Sequence, residues 1–135
     1  MNKKIIAAAS IIAIIAIILS VTSDSTLDES KISQTIIVDA IYEPKNGLVK
    51  ITYNDNSRNT TLVTLEILGM EETFHKEFSH NSFIETIQIN SEPKYGWSTM
   101  PVIFSVNHDK FGKIELKTEI HQQSEPKPRI IYSEI

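Results

Sequence analysis

The chain is predicted to be all-β: seven short antiparallel strands forming a two-sheet sandwich, preceded by an N-terminal hydrophobic helix. Three observations predict it. Beyond residue 31 the apolar residues recur mostly at every second position, and no segment there shows a 3.6-residue period. Turn-forming residues interrupt that alternation at intervals of about ten residues. A single uninterrupted apolar run stands at the N-terminus, from Ile5 to Val21.

The N-terminal run carries no charge and no proline, is preceded by Lys3 and Lys4, and is followed by Asp24, Asp28 and Glu29. A positive start, an apolar stretch and a polar exit make an export signal. At 17 residues the run is long for a cleaved signal and at the lower limit for a spanning helix. Two fates follow from that length. Retained, it is a single-pass anchor with the lysines in the cytoplasm and the domain outside. Removed near Ser23, it leaves a secreted domain, although Val21-Thr22-Ser23 is a poorer cleavage sequence than Ala-x-Ala. Residues 1–23 are therefore read as signal or anchor, 24–32 as a polar linker, 33–121 as the sandwich and 122–135 as a proline-containing tail.

The clearest strand is Lys113 to Ile120. Ile114, Leu116, Thr118 and Ile120 face one way, and Lys113, Glu115, Lys117 and Glu119 the other. Alternation recurs at Thr35 to Tyr42, Leu48 to Tyr53, Thr61 to Leu68, Thr73 to Phe78, Phe83 to Ile89 and Pro101 to Val106. In the segment Phe83 to Ile89, Glu85 is out of the inward pattern. Between these segments lie Glu43-Pro44-Lys45-Asn46-Gly47, Asn54 to Asn59, Gly69, Ser79 to Ser82, Ser91 to Gly96 and Asn107 to Gly112. In the tail, Pro126 and Pro128 end the domain, and Ile130-Ile131-Tyr132 forms an apolar patch suited to an edge strand or a docking tail.

In strand number and spacing, from about Ser33 to His121, the chain resembles the immunoglobulin-like and fibronectin type III sandwiches. The cysteine pair and third-strand tryptophan of antibody-type domains are missing, while Tyr95 stands where such folds place a tyrosine corner. A closed barrel is the alternative fold. Small exported sandwiches of this kind also resemble the accessory subunits of archaeal surface filaments.

Composition narrows the function. There is no cysteine, which excludes disulfides, thiolate zinc sites and a cysteine nucleophile, and only four glycines are present. The net charge is −4, and beyond the leader eleven basic residues face seventeen acidic ones, a balance of −6. Nucleic-acid binding is not expected of such a chain. No nucleophile–base signature is present, so no enzymatic activity and no cofactor are expected.

Three groups of residues are singled out. Tyr95 and Trp97, in the loop before the sixth strand, are candidate contacts for a protein partner at the cell surface. With fibronectin-type connections the loops after strands two, four and six share one pole. That arrangement brings Asp55, His80, His108 and Asp109 together as an alternative copper or zinc site. Asn59-Thr60-Thr61 is a glycosylation sequon. The expected function is a non-catalytic, exported and membrane-anchored module with a structural or interaction role at the cell envelope. The alternative is an exported metal-binding protein.

Overall fold

A computed structural model of the protein describes residues 27–135. The apolar run Ile5–Val21 and the cleavage point near Ser23 lie outside the described residues. Among the described residues no helix is long and apolar enough to cross a membrane.

The chain order is α1 (Glu29–Thr35), β1 (Ile36–Glu43), β2 (Leu48–Asp55), β3 (Thr60–Ile67), β4 (Phe74–Phe78) and β5 (Ser82–Gln88). A 3-10 turn at Trp97–Thr99 follows, then β6 (Val102–His108), β7 (Gly112–Thr118), β8 (His121–Gln122) and β9 (Ile131–Glu134). The strands form two sheets, β5-β2-β1-β8 and β4-β3-β6-β7-β9. Nine strands thus form among the described residues where seven were expected, the two additions coming from the tail. The pairing is antiparallel throughout except β1 with β8, which is parallel. A two-residue strand has no periodicity to detect.

The alternation expected from the sequence is the observed burial. Ile36, Val38, Ala40 and Tyr42 of β1, Val49, Ile51 and Tyr53 of β2, and Val63, Leu65 and Ile67 of β3 face inward. They meet Val102, Phe104 and Val106 of β6 and Ile114, Leu116 and Thr118 of β7. Each fully buried branched or aromatic side chain contributes roughly 1.5–3 kcal/mol. Tyr53 stacks on Phe83 at 5.3 Å between ring centres and on Phe104 at 6.0 Å.

Where a polar linker was expected, α1 forms. Asp28 caps it, its carboxylate accepting from the Lys31 backbone N–H at 3.2 Å. Glu29 in the first turn suits the helix dipole, and Ile32 is wholly buried. One buried residue in seven makes no 3.6 period, so hydrophobic patterning could not reveal this helix.

On one side of the sandwich the outer strands β4 and β5 meet. There Phe78 stacks on Phe83, and Lys76 Nζ bonds Glu85 Oε2 at 2.9 Å between the sheets. Glu85 breaks the apolar pattern because its inward position opens at this edge, where a charge discourages pairing with another sheet.

At the pole opposite α1, Gly69 sits at φ +81°, and a Cβ there would overlap the Thr99 carbonyl oxygen. Gly112 has a similar φ of +73° but open space around it. Gly112→Ala should therefore cost about 1 kcal/mol, the left-handed strain alone. Gly69→Ala should cost about 3 kcal/mol or more, because the turn must also move away from backbone. Urea unfolding of the two variants checks this, and equal losses would contradict the overlap.

Candidate functional site

Extending the alternation one step past the last apolar residue of β2 and β6 reaches Asp55 and His108, both pointing inward. Together with Thr60 of β3 they form a polar layer at the α1 pole, where the loops after β2, β4 and β6 converge. Both side chains of the Asp55–His108 pair are fully shielded from solvent, and His108 Nε2 lies 3.1 Å from Asp55 Oδ2.

A buried carboxylate must replace the water it has lost. Oδ1 accepts from the Ser57 backbone N–H at 2.8 Å and the Ser57 hydroxyl at 2.6 Å. Oδ2 accepts from the Asn59 N–H at 3.1 Å and the Thr60 hydroxyl at 2.6 Å, besides His108. Tyr53 Oη lies 2.7 Å from Thr60 Oγ1 and so donates into the same chain. Burial alone would raise the Asp55 pKa. The Ser57 and Thr60 hydroxyls, the Ser57 N–H and the neighbouring His108 ring outweigh it, and the net shift is downward. Burial pushes the Tyr53 hydroxyl well above its ordinary range, with Asp55 adding to the effect. Neighbouring loops close around this centre. Asp55 N–H donates to Asn81 O, Thr60 N–H to Asn81 Oδ1, and Asp109 N–H to Asn59 O.

Asp55, Ser57 and His108 have the composition of a hydrolase triad but not its wiring. In such a triad the carboxylate and the hydroxyl bond different ring nitrogens. Here both face Nε2, at 3.1 and 3.2 Å, and Nδ1 accepts the backbone N–H groups of Lys110 and Phe111. The ring proton therefore sits on Nε2, and the Ser57 hydroxyl gives its own proton to Asp55. This cluster holds no base poised to activate a nucleophile. His108 also stacks on Phe111 at 4.5 Å.

The proposed metal set does not assemble. The structure brings Asp55 and His108 together, but His80 and Asp109 are exposed on their turns. Among the described residues no group of three or more potential ligands could hold a metal ion. With Nδ1 held by backbone donors and Nε2 bonded to Asp55, His108 has no lone pair to offer.

At the opposite pole Trp97 is 6% exposed and packs against Tyr42, ring centres 5.0 Å apart. It plugs the end of the core, which corrects its reading as a contact residue, and its buried Nε1 finds no acceptor among the described residues. Tyr95 is 78% exposed and makes no tyrosine corner; the tyrosine that bonds backbone across the fold is Tyr42, through Asn90 O at 3.1 Å. Asn59 is half-buried in its turn, and the sequon hydroxyl of Thr61 donates to Asn107 O at 3.0 Å. The sequence reading missed Ser57 and Thr60 because serine and threonine in a turn usually signal only the turn.

Comparisons with protein-family models, with curated proteins and with solved structures found no match to this chain.

Removing the Asp55 carboxylate strands its donors, so Asp55→Ala should cost roughly 3–5 kcal/mol. Because the folded-state pKa of Asp55 is lowered, its stabilisation is present above the ordinary aspartate range and lost as pH falls through the folded value. The urea midpoint of the wild type should therefore fall as pH drops from about 5 to 3, while Asp55→Asn starts lower and changes less. Parallel acid limbs for the two proteins would refute this account of the cluster.

Proposed function

We propose that this protein is a non-catalytic, exported β-sandwich module, anchored through Ile5–Val21, with a protein-interaction role at the cell envelope. The observation that carries the reading is the difference between the two poles. At one pole the described chain begins beside α1, and the polar groups of Ser57, Asn59 and Thr60 are consumed in holding the Asp55–His108 pair. At the other, burial of Trp97 fixes a short turn that leaves Tyr95 projecting into solvent. An exposed aromatic ring on a pre-ordered loop loses little conformational freedom on binding. Anchored at its N-terminus, the chain turns the first pole toward the membrane and the Tyr95 loop outward.

The strand order supports the resemblance to fibronectin-like sandwiches. β5-β2-β1 faces β4-β3-β6-β7, and the fourth strand joins the third rather than the fifth, as it would in a constant-type immunoglobulin domain. The acidic balance of the exported part is in keeping with a protein partner rather than nucleic acid or an anionic lipid surface.

The test uses the full chain in intact cells, with a photo-reactive phenylalanine analogue at position 95 or at position 110 on the α1 pole. A discrete protein adduct is expected from position 95 and not from 110. Tyr95→Ala should weaken the isolated interaction by about 30-fold, the loss typical of an interface hot spot. Full-length mass in the membrane fraction is expected alongside. Adducts that are absent at 95, or equal at both positions, would overturn the reading.

A further inference from the structure

The C-terminal segment closes the second side of the sandwich, with His121 buried and Ile130 and Tyr132 partly buried against the core. After Ile120, the last core residue, His121 and Gln122 pair with Ile41 and Tyr42 of β1. His121 is hydrogen-bonded at both ring nitrogens, Nε2 to Asp39 Oδ1 at 2.7 Å and Nδ1 to its neighbour's carbonyl, Gln122 O, at 2.8 Å. Residues 123–130, mostly exposed and stiffened by Pro126 and Pro128, lead to β9. There Ile131–Glu134 pairs antiparallel with β7, from Lys117 beside Ile131 to Ile114 beside Glu134. No residue of β9 is buried, and Ile131 is 56% exposed. The strand it covers is different: Ile114, Leu116 and Thr118 of β7 are buried in the core.

We propose that residues 121–135 are a releasable strap, latched by His121 on Asp39, and that two copies of the chain exchange β9 across the β7 edge. The occupant is set by fit. The edge of β7 already selects this strand in one register, with Tyr132 turned inward beside Leu116 and the Ser133 hydroxyl donating to Glu115 Oε2 at 3.1 Å. A second copy offers the same strand to the same edge, which makes the exchange symmetric and self-limiting. The eight-residue connection carries its prolines where an extended path is favoured, and at about 3 Å per residue it reaches roughly 25 Å, far beyond the strand spacing. The opposite side of the sandwich has no such device: β4 and β5 are guarded there by the Lys76–Glu85 pair.

The absence of native cysteine makes a disulfide test clean. Full-length chains carrying only Lys117→Cys are mixed with chains carrying only Ile131→Cys and oxidised in detergent. Paired antiparallel positions lie within disulfide reach, and both side chains are exposed, so neither change disturbs the core. A 117–131 heterodimer is expected, with its yield raised several-fold by His121→Asn. His80→Cys, exposed on the β4–β5 turn at the α1 pole, should give none with Ile131→Cys. The pair Glu115→Cys and Ser133→Cys repeats the measurement at a second register position. Heterodimer no higher than the His80 control at both positions, or a yield indifferent to His121→Asn, would overturn the exchange.

Discussion

A single buried carboxylate organises one end of this protein. Asp55 ends a strand of one sheet, while Thr60 and His108 belong to strands of the other, so its hydrogen bonds cross the space between the layers. An ionised group shielded from water is tolerated only if protein donors replace the lost hydration. Five donors converge on it, and three of the loops that begin or end there take their shape from supplying or supporting them. The conformation of Ser57, the tautomer of His108 and the position of Asn81 all follow from that requirement. The same requirement commits the protons and lone pairs of Asp55, Ser57 and His108 to one another.

The two open sides of the sandwich meet a common hazard differently. Two sheets that do not close into a barrel leave four outer strands with unpaired backbone groups. Along β4 and β5 the solution is a charged pair placed at inward positions, Lys76 with Glu85, flanked by the stacked Phe78 and Phe83. Along β1 and β7 it is the chain's own C-terminus, contributing β8 to one sheet and β9 to the other. One remedy is local; the other is a segment held by backbone pairing, by His121 on Asp39 and by Ile130 and Tyr132 against the core.

Much of the fold was legible in the residues because a strand at the boundary between core and solvent must alternate. The seven main strands lie within a residue or two of where alternation places them, and Glu85, the exception, marks a sheet edge. Less of the site was legible. Asp55 and His108 stand at the next inward positions of Val49-Ile51-Tyr53 and Val102-Phe104-Val106, so the period that located the strands also pointed at them. They were read as loop residues because aspartate and histidine beside a turn are usually solvated. Trp97 and Tyr95 were grouped by sequence, yet two positions apart they divide, one into the core and one into solvent.

What the sequence by itself determined is the pattern: period-two strands, turns between them, an acidic composition and an apolar N-terminal run. These are local or additive properties, and each is set by which residues neighbour one another along the chain. Only the tertiary structure decided which polar residues meet. The Asp55–His108 pair joins positions 53 residues apart, and His121 with Asp39 joins positions 82 apart. Such pairings depend on strand order and register, which arise from the collective burial of two faces and leave no trace in local spacing. For the same reason Asp55 and His108 meet while His80 and Asp109 stay apart on their turns: residue types can suggest ligands, but only the fold decides which of them come together.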